Sequence, residues 1–246
     1  MREIPAKHLA LVRHGESEGD ARRAMRAQPL SHELTKHPRD EEQTQRGHEQ
    51  SSLSGKWLAR YFFSVYGIKA LDWQLVSPLF RTQQSAQSLR LPGEWQDDAR
   101  LAERHRGMIQ GMTKQQHMAQ YPESYRQMQK HPFHWVPPGG ESISRVSHRL
   151  GQLVDDFMQS DALSAVLMTH RDVMWAAHVP LDRISLDEIE QINTKSIRNG
   201  QIFHYTNVNP QSGQVDGSEL VWKRSVTPWG DSAQEQTANW IRLATR

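Results

Sequence analysis

Cysteine is absent from the 246 residues of this chain. Disulfides, zinc–thiolate centres and thiol nucleophiles are therefore excluded. Long apolar runs are missing too: none approaches the roughly 20 residues of a membrane-spanning helix, and the mean hydropathy is −0.77. Residues 1 to 8 are mostly polar and lead straight into the first apolar stretch, so no secretory signal peptide is expected. The expectation is a cytoplasmic protein with no membrane partner. A large charge of one sign is also lacking. A formal net charge of +2 and a pI near 8.9 suit a small anionic ligand and fall short of a nucleic-acid-binding footprint. No internal repeat or long linker divides the chain, and its length is ample for one well-buried core. Oligomeric state is not legible; a homodimer is one option.

What is present is a sequence of apolar runs that stop abruptly at polar turns. Residues 8–13 read as a buried strand that breaks into Arg13-His14-Gly15. Residues 15–27 read as a loop and helical turn, and 28–43 as a polar surface loop with Pro29 and Pro38. Residues 44–66 show a helical stripe of Leu53, Trp57, Leu58, Tyr61, Phe62 and Val65. A second strand over 71–77 ends at Pro78, and a helix over 79–91 turns Leu79, Ala86 and Leu89 inward. Residues 101–111 form a charged loop. Thr113 with Gln116 predicts a capping box that opens a helix, which Pro122 interrupts. A stripe of Val146, Leu150, Leu153, Val154 and Phe157 predicts a further helix, and 162–169 is the strongest buried-strand signal, ending at His170. Ser185 with Glu188 looks like another capping box, and Asn199-Gly200 turns the chain into a strand at 202–206. A hairpin loop at 209–217 leads into 220–226, and a weak helix is expected around Trp240. Strands alternating with helices imply an α/β fold, a three-layer α/β/α arrangement with a mostly parallel sheet flanked by helices.

On that scaffold three strand ends present two arginines and two histidines, Arg13, His14, Arg81 and His170, towards one edge of the sheet. Open α/β sheets bind ligands beyond the carboxyl ends of their strands. Two guanidinium forks and nearby helix N-termini suit a phosphate. Histidine is a competent nucleophile towards phosphorus, and such a route needs a carboxyl group to protonate the leaving oxygen. Glu103 is the best placed in sequence, with Glu16, Glu141 and Asp172 as alternatives. The plain readings are a turn histidine for His14, surface ion pairs for the arginines, a core histidine for His170 and a solvated carboxylate for Glu103. The thirteen histidines otherwise suggest no metal site: His37, His48, His117 and His131 sit among polar neighbours without ligand spacing.

These segments, taken in order, resemble the histidine phosphatase superfamily, also called phosphoglycerate mutase-like. LVRHGES (11–17) is similar to its signature, and Thr44, Gly47 and Gln50 match its following helix start, with Gln43 in place of the usual leucine. SPLFRTQQSA (77–86), LAERHRGMIQG (101–111), PPGGES (137–142) and THRDVM (169–174) resemble its further motifs. The resemblance implies that His14 is the phosphorylated nucleophile and that Arg13, Arg81 and His170 bind the phosphoryl group. It implies Glu103 as general acid and then base, with no metal and no cofactor. Ser17, Asp20, Arg104 and Arg171 are candidate substrate contacts. Asp20 stands where the family commonly has asparagine and Arg171 where it has glycine; both bear on substrate identity rather than on the phosphoryl step. The expected organisation is a single domain over 1–246, with a cap insertion at about 104–140 and a C-terminal strand-helix extension at about 207–246.

The interval between Glu103 and His170 is short for the family's mutases and resembles its phosphatases. ERHRG followed by QG is, in contrast, close to a mutase form. The function expected is phosphomonoester hydrolysis of a small phosphorylated metabolite. A phosphoglycerate mutase is the alternative, and a catalytically silent module that senses a phosphorylated ligand is the reading from another class.

Overall fold

A computed structural model describes residues 4–25, 40–192 and 197–245. Most of the surface loop expected over 28–43, with Arg26, Lys36, His37 and Arg39, lies outside them. β1 (His8–Arg13) and β4 (Ser164–Thr169) are buried at every position. That is why they read as continuous apolar runs rather than alternating ones. They pair in parallel, Leu11 opposite Leu167 and Arg13 opposite Thr169. β2 (Trp73–Val76) flanks β4, and the short β3 (Gln96–Asp97) flanks β2, both in parallel.

On the other side β5 (Ile202–Thr206) runs antiparallel to β1, β6 (Trp222–Val226) antiparallel to β5, and β7 (Ile241–Arg242) antiparallel to β6. The seven strands found among the described residues follow the order β3-β2-β4-β1-β5-β6-β7. The sheet is therefore parallel in the half that carries the histidines and antiparallel in the half built by the C-terminal third.

Helices cover both faces. Leu9 and Leu11 of β1 pack on one face with Val146, Leu150, Leu153 and Phe157 of α6 (Ile143–Gln159) and with α7 (Arg171–Ala176). Ala10 and Val12 pack on the opposite face with Trp57 and Leu58 of α2 (Gln45–Leu58) and with Ala86 and Leu89 of α3 (Phe80–Leu89). The helix expected over 44–66 changes character at Ala59, where a π-helical stretch runs to Val65. Its wider turn rotates the stripe. Phe62 stays buried while Val65 is 57% exposed.

α1 (Glu18–Met25) follows the first motif. The Thr113 capping box opens α4 (Lys114–Gln120), and Pro122 begins α5 (Pro122–Lys130) rather than breaking a longer helix. The Ser185 capping box opens α8 (Leu186–Ile189). The helix expected around Trp240 forms earlier, as α9 (Ala233–Thr237), because Ser232 and Glu235 build its capping box. Trp240 instead lies against the buried guanidinium of Arg224, 4.5 Å away.

Candidate active site

β1, β2 and β4 point the same way, so the residues that follow them meet at one edge: His14, Ser77 and His170. His14 is 3% exposed and His170 is fully buried, with ring centroids 5.1 Å apart. His14 Nδ1 lies 2.7 Å from the Gly15 carbonyl. A carbonyl can only accept, so Nδ1 carries the proton. The other nitrogen, Nε2, accepts from Arg81 Nε at 3.3 Å. Burial and the Arg81 charge push the His14 pKa down to about 3. The ring is thus neutral at ordinary pH, with its lone pair on the atom that faces Arg81.

The same reasoning sets His170. Its Nδ1 accepts from Arg81 Nη2 at 3.2 Å, so its Nε2 donates to Ser77 Oγ at 2.7 Å. Burial, with Arg81 and His14 beside it, holds His170 well below the ordinary histidine range. Arg81 reaches both rings from the first turn of α3, which the SPL turn starts.

Arg13 is fixed from two directions. Its Nη1 donates to Ile197 O at 2.7 Å and its Nη2 to Asp20 Oδ1 at 3.1 Å. Its buried Nε finds no partner among the described residues. Gly15 is required by packing: a Cβ there would stand 2.1 Å from the Gly47 carbonyl. This close approach of the first motif to the start of α2 gives the two separate sequence patterns one physical cause.

Glu103 enters from the loop before α4, its Oε2 3.9 Å from His170 Nδ1. That loop is tied to β4 by Thr169 Oγ1, which donates to Leu101 O at 2.8 Å. Glu103 shares its surroundings with Asp172 of α7. Burial, and then the negative charge of Asp172, raise the Glu103 pKa, with Arg81 and Arg106 opposing. Burial also disfavours an ionised Asp172, but Arg106, Arg171 and Arg104 overcome it and hold its pKa low. Arg106 Nη2 donates to Asp172 Oδ2 at 2.9 Å. Two carboxyl groups are thus driven apart, Glu103 towards the protonated acid and Asp172 towards the carboxylate.

The four expected substrate contacts divide. Arg171 is part exposed, its side chain 38% exposed and its Nε 3.5 Å from Asp172 Oδ1. The other three are turned inward. Ser17 is fully buried and its hydroxyl donates to Asp20 Oδ2. Asp20 accepts from Arg13, Arg23, Ser17 and Asn199. Burial favours its neutral form, yet the neighbouring His14, Arg13 and Arg23 hold its pKa well below the carboxylate range. Arg104 donates to Glu141 O at 2.7 Å and Trp135 O at 3.1 Å and lies over the Trp135 ring. Ser17 and Asp20 are bonded to each other and to neighbouring protein groups, and Arg104 spends its Nε and one Nη on backbone carbonyls.

Of the alternative acids, Glu16 accepts from Thr44 Oγ1 and Glu141 is gripped by Arg149. Asn199, which donates to both the His14 carbonyl and Asp20, was not singled out as a site residue. Its Asn-Gly pair gave only a turn signal. Among the described residues no group of three or more His, Asp or Glu is arranged to hold a metal ion.

The family model described as histidine phosphatase superfamily (branch 1) matches residues 9–210. A 2,3-bisphosphoglycerate-dependent phosphoglycerate mutase of Rhizobium meliloti is 29% identical over 199 residues, covering 75% of this chain and 84% of that protein. Two solved structures share the fold. The alpha-ribazole phosphatase of Shigella flexneri has a TM-score of 0.62 at 18% identity, covering 87% of this chain and 98% of the other. A mycobacterial glucosyl-3-phosphoglycerate phosphatase has a TM-score of 0.61 at 22% identity, covering 82% and 91%.

Proposed function

The chain belongs to the histidine phosphatase superfamily, and we propose that it hydrolyses a small phosphorylated metabolite through a phosphohistidine on His14. The observation that carries this reading is the opposed protonation of two groups that both lie beside His170. His14 offers an unprotonated Nε2, and Glu103 is pushed towards its protonated form. One is ready to attack phosphorus and the other to protonate the oxygen that leaves.

In the first half-reaction a P–N bond forms to His14 Nε2 as the ester P–O bond breaks, and Glu103 transfers its proton to the departing oxygen. In the second, the Glu103 carboxylate takes a proton from water. The water oxygen attacks phosphorus, the P–N bond breaks, and phosphate leaves. Arg81 and the free Nε–H of Arg13 neutralise the equatorial oxygens, where charge must be met. An arriving phosphoryl dianion offsets the burial and the cations that keep His170 neutral; the ring takes a proton from solvent, keeps it, and donates a hydrogen bond to the same oxygens. The step as written needs no metal and no cofactor. We further read the chain as one cytoplasmic domain over 1–246, with a cap at about 104–140 and an extension at about 207–246. Its partner is a small phosphorylated molecule rather than nucleic acid or membrane.

The protein should hydrolyse p-nitrophenyl phosphate in EDTA, and His14→Ala should abolish it. No turnover by the wild type, or equal turnover by both, would sink the reading. The mutase alternative is favoured by the names of the curated relatives. It is separated by supplying 3-phosphoglycerate with 2,3-bisphosphoglycerate: a hydrolase releases inorganic phosphate, whereas a mutase accumulates 2-phosphoglycerate with little phosphate.

A further inference from the structure

The C-terminal segment beyond the family match returns to the site. β5 runs antiparallel to β1, so the turn that precedes it, 198–201, lies at the same edge as His14. β6 runs antiparallel to β5, with Val226 opposite Ile202, so the chain leaving β6 reaches that edge as well.

The turn is bonded to the nucleophile's own backbone. Arg13 N donates to Gln201 O at 3.0 Å, and Gly200 N donates to Arg13 O at 3.0 Å and to His14 O at 3.2 Å. Gly200 has φ +68°, a left-handed conformation that suits glycine. Asn199 Nδ2 donates to His14 O at 3.2 Å and to Asp20 Oδ2 at 2.8 Å. Asp20 in turn holds Arg13. The turn therefore fixes both the backbone of His14 and the fork of Arg13.

Three residues of the C-terminal segment hold this turn in place. Trp229 Nε1 donates to Asn199 O at 2.7 Å. Gln201 Nε2 donates to Ser225 Oγ at 2.7 Å. Arg198 Nη1 pairs with Glu235 Oε1 at 2.7 Å. The Trp229 ring also lies 5.8 Å from the Arg46 guanidinium and 5.9 Å from that of Arg198. It thereby links the turn to α2, whose start packs on Gly15.

We propose that Trp229 is a positioning residue for phosphoryl transfer, acting through Asn199 on His14 and on the Asp20–Arg13 pair. The inference rests on His14 being the nucleophile and adds that the segment beyond residue 210 is part of the machinery. A displaced nucleophile loses rate steeply, about 10²-fold for an ångström of misplacement. The effect of Trp229 is therefore on kcat rather than on KM.

The test is a double-mutant cycle on p-nitrophenyl phosphate hydrolysis. Trp229→Phe keeps the ring and removes the N–H donor. Its kcat should fall about tenfold with KM within about twofold, and the rate of phosphoenzyme formation should fall in parallel. Ser225→Ala, which frees Gln201 with little risk to folding, should move kcat in the same direction. Asn199→Ala combined with Trp229→Phe should be no slower than Asn199→Ala alone, because the two changes cut one chain of contacts. Unchanged kcat in a folded Trp229→Phe, or effects that simply multiply, would overturn the clamp while an inactive His14→Ala leaves the nucleophile reading standing. An active His14→Ala would overturn both.

Discussion

At the scale of single residues, the sequence told which side chains meet but not which way the polar ones turn. Arg13, His14, Arg81 and His170 were legible because each ends or closely follows a strand, and strand ends are fixed by the apolar pattern. Ser17, Asp20 and Arg104 stand equally close to the motifs, yet each is already bonded to protein partners. Whether a polar side chain faces ligand or braces a loop depends on contacts far along the chain, such as Asn199 with Asp20. Asp172 was read as an alternative acid, whereas its environment keeps it ionised. That assignment yields a pH prediction. As the proposed general acid, Glu103 must be protonated for the first half-reaction, so the rate falls as pH rises through its pKa. Asp172→Asn removes a negative charge that raises that pKa. The high-pH limb of the kcat profile for an alkyl phosphate should therefore move towards acid. A limb that stays in place, or moves towards base, would show that Asp172 does not tune Glu103.

At the scale of elements, strands were easier to read than helix ends. β1 lies where its run of apolar residues placed it, and β4 within two residues. The stripe from Leu53 to Val65 was misread because periodicity assumes 3.6 residues per turn, and the π-helical stretch over Ala59–Val65 breaks that assumption. The helix placed at Trp240 failed for a different reason. Large aromatic residues there serve Arg224, whose guanidinium lies 4.0 to 4.5 Å from the Trp57, Tyr61 and Trp240 rings. No local pattern encodes that burial. Long-range pairing also explains where the sheet departs from a mostly parallel one. βα alternation describes the first half faithfully, whereas β5 to β7 follow hairpin-like connections.

At the scale of the whole molecule, the fold stores several neutral histidines in its interior, and this sets its response to acid. Burial and the nearby Arg224 charge push His8 down to about 4, and burial holds His204 well below the ordinary range. In the unfolded chain both titrate near 6.5. Between those values the unfolded state binds protons that the folded state refuses, so stability is present above about pH 6.5 and is lost as pH falls. His8 alone contributes on the order of 3 kcal/mol to that loss, from a shift of about two and a half units. His14 and His170 act in the same direction. Urea unfolding at pH 7 and at pH 4.5 should show a drop of several kcal/mol, and His8→Gln should make it smaller. Equal stability at both pH values would contradict the neutral interior. The acid end of the window touches the usual carboxylate range, so the smaller drop in His8→Gln is what assigns the loss to histidine.

Everything proposed for this chain turns on a covalent bond from phosphorus to His14 Nε2. Rapid mixing with p-nitrophenyl phosphate, an alkaline denaturing quench and mass mapping of the peptides tests it directly. The account predicts one added phosphoryl group, on the peptide that holds His14, appearing within the first turnover and absent in His14→Ala. Hydrolysis with no phosphorylated peptide, or with the phosphoryl group on another residue, would contradict it.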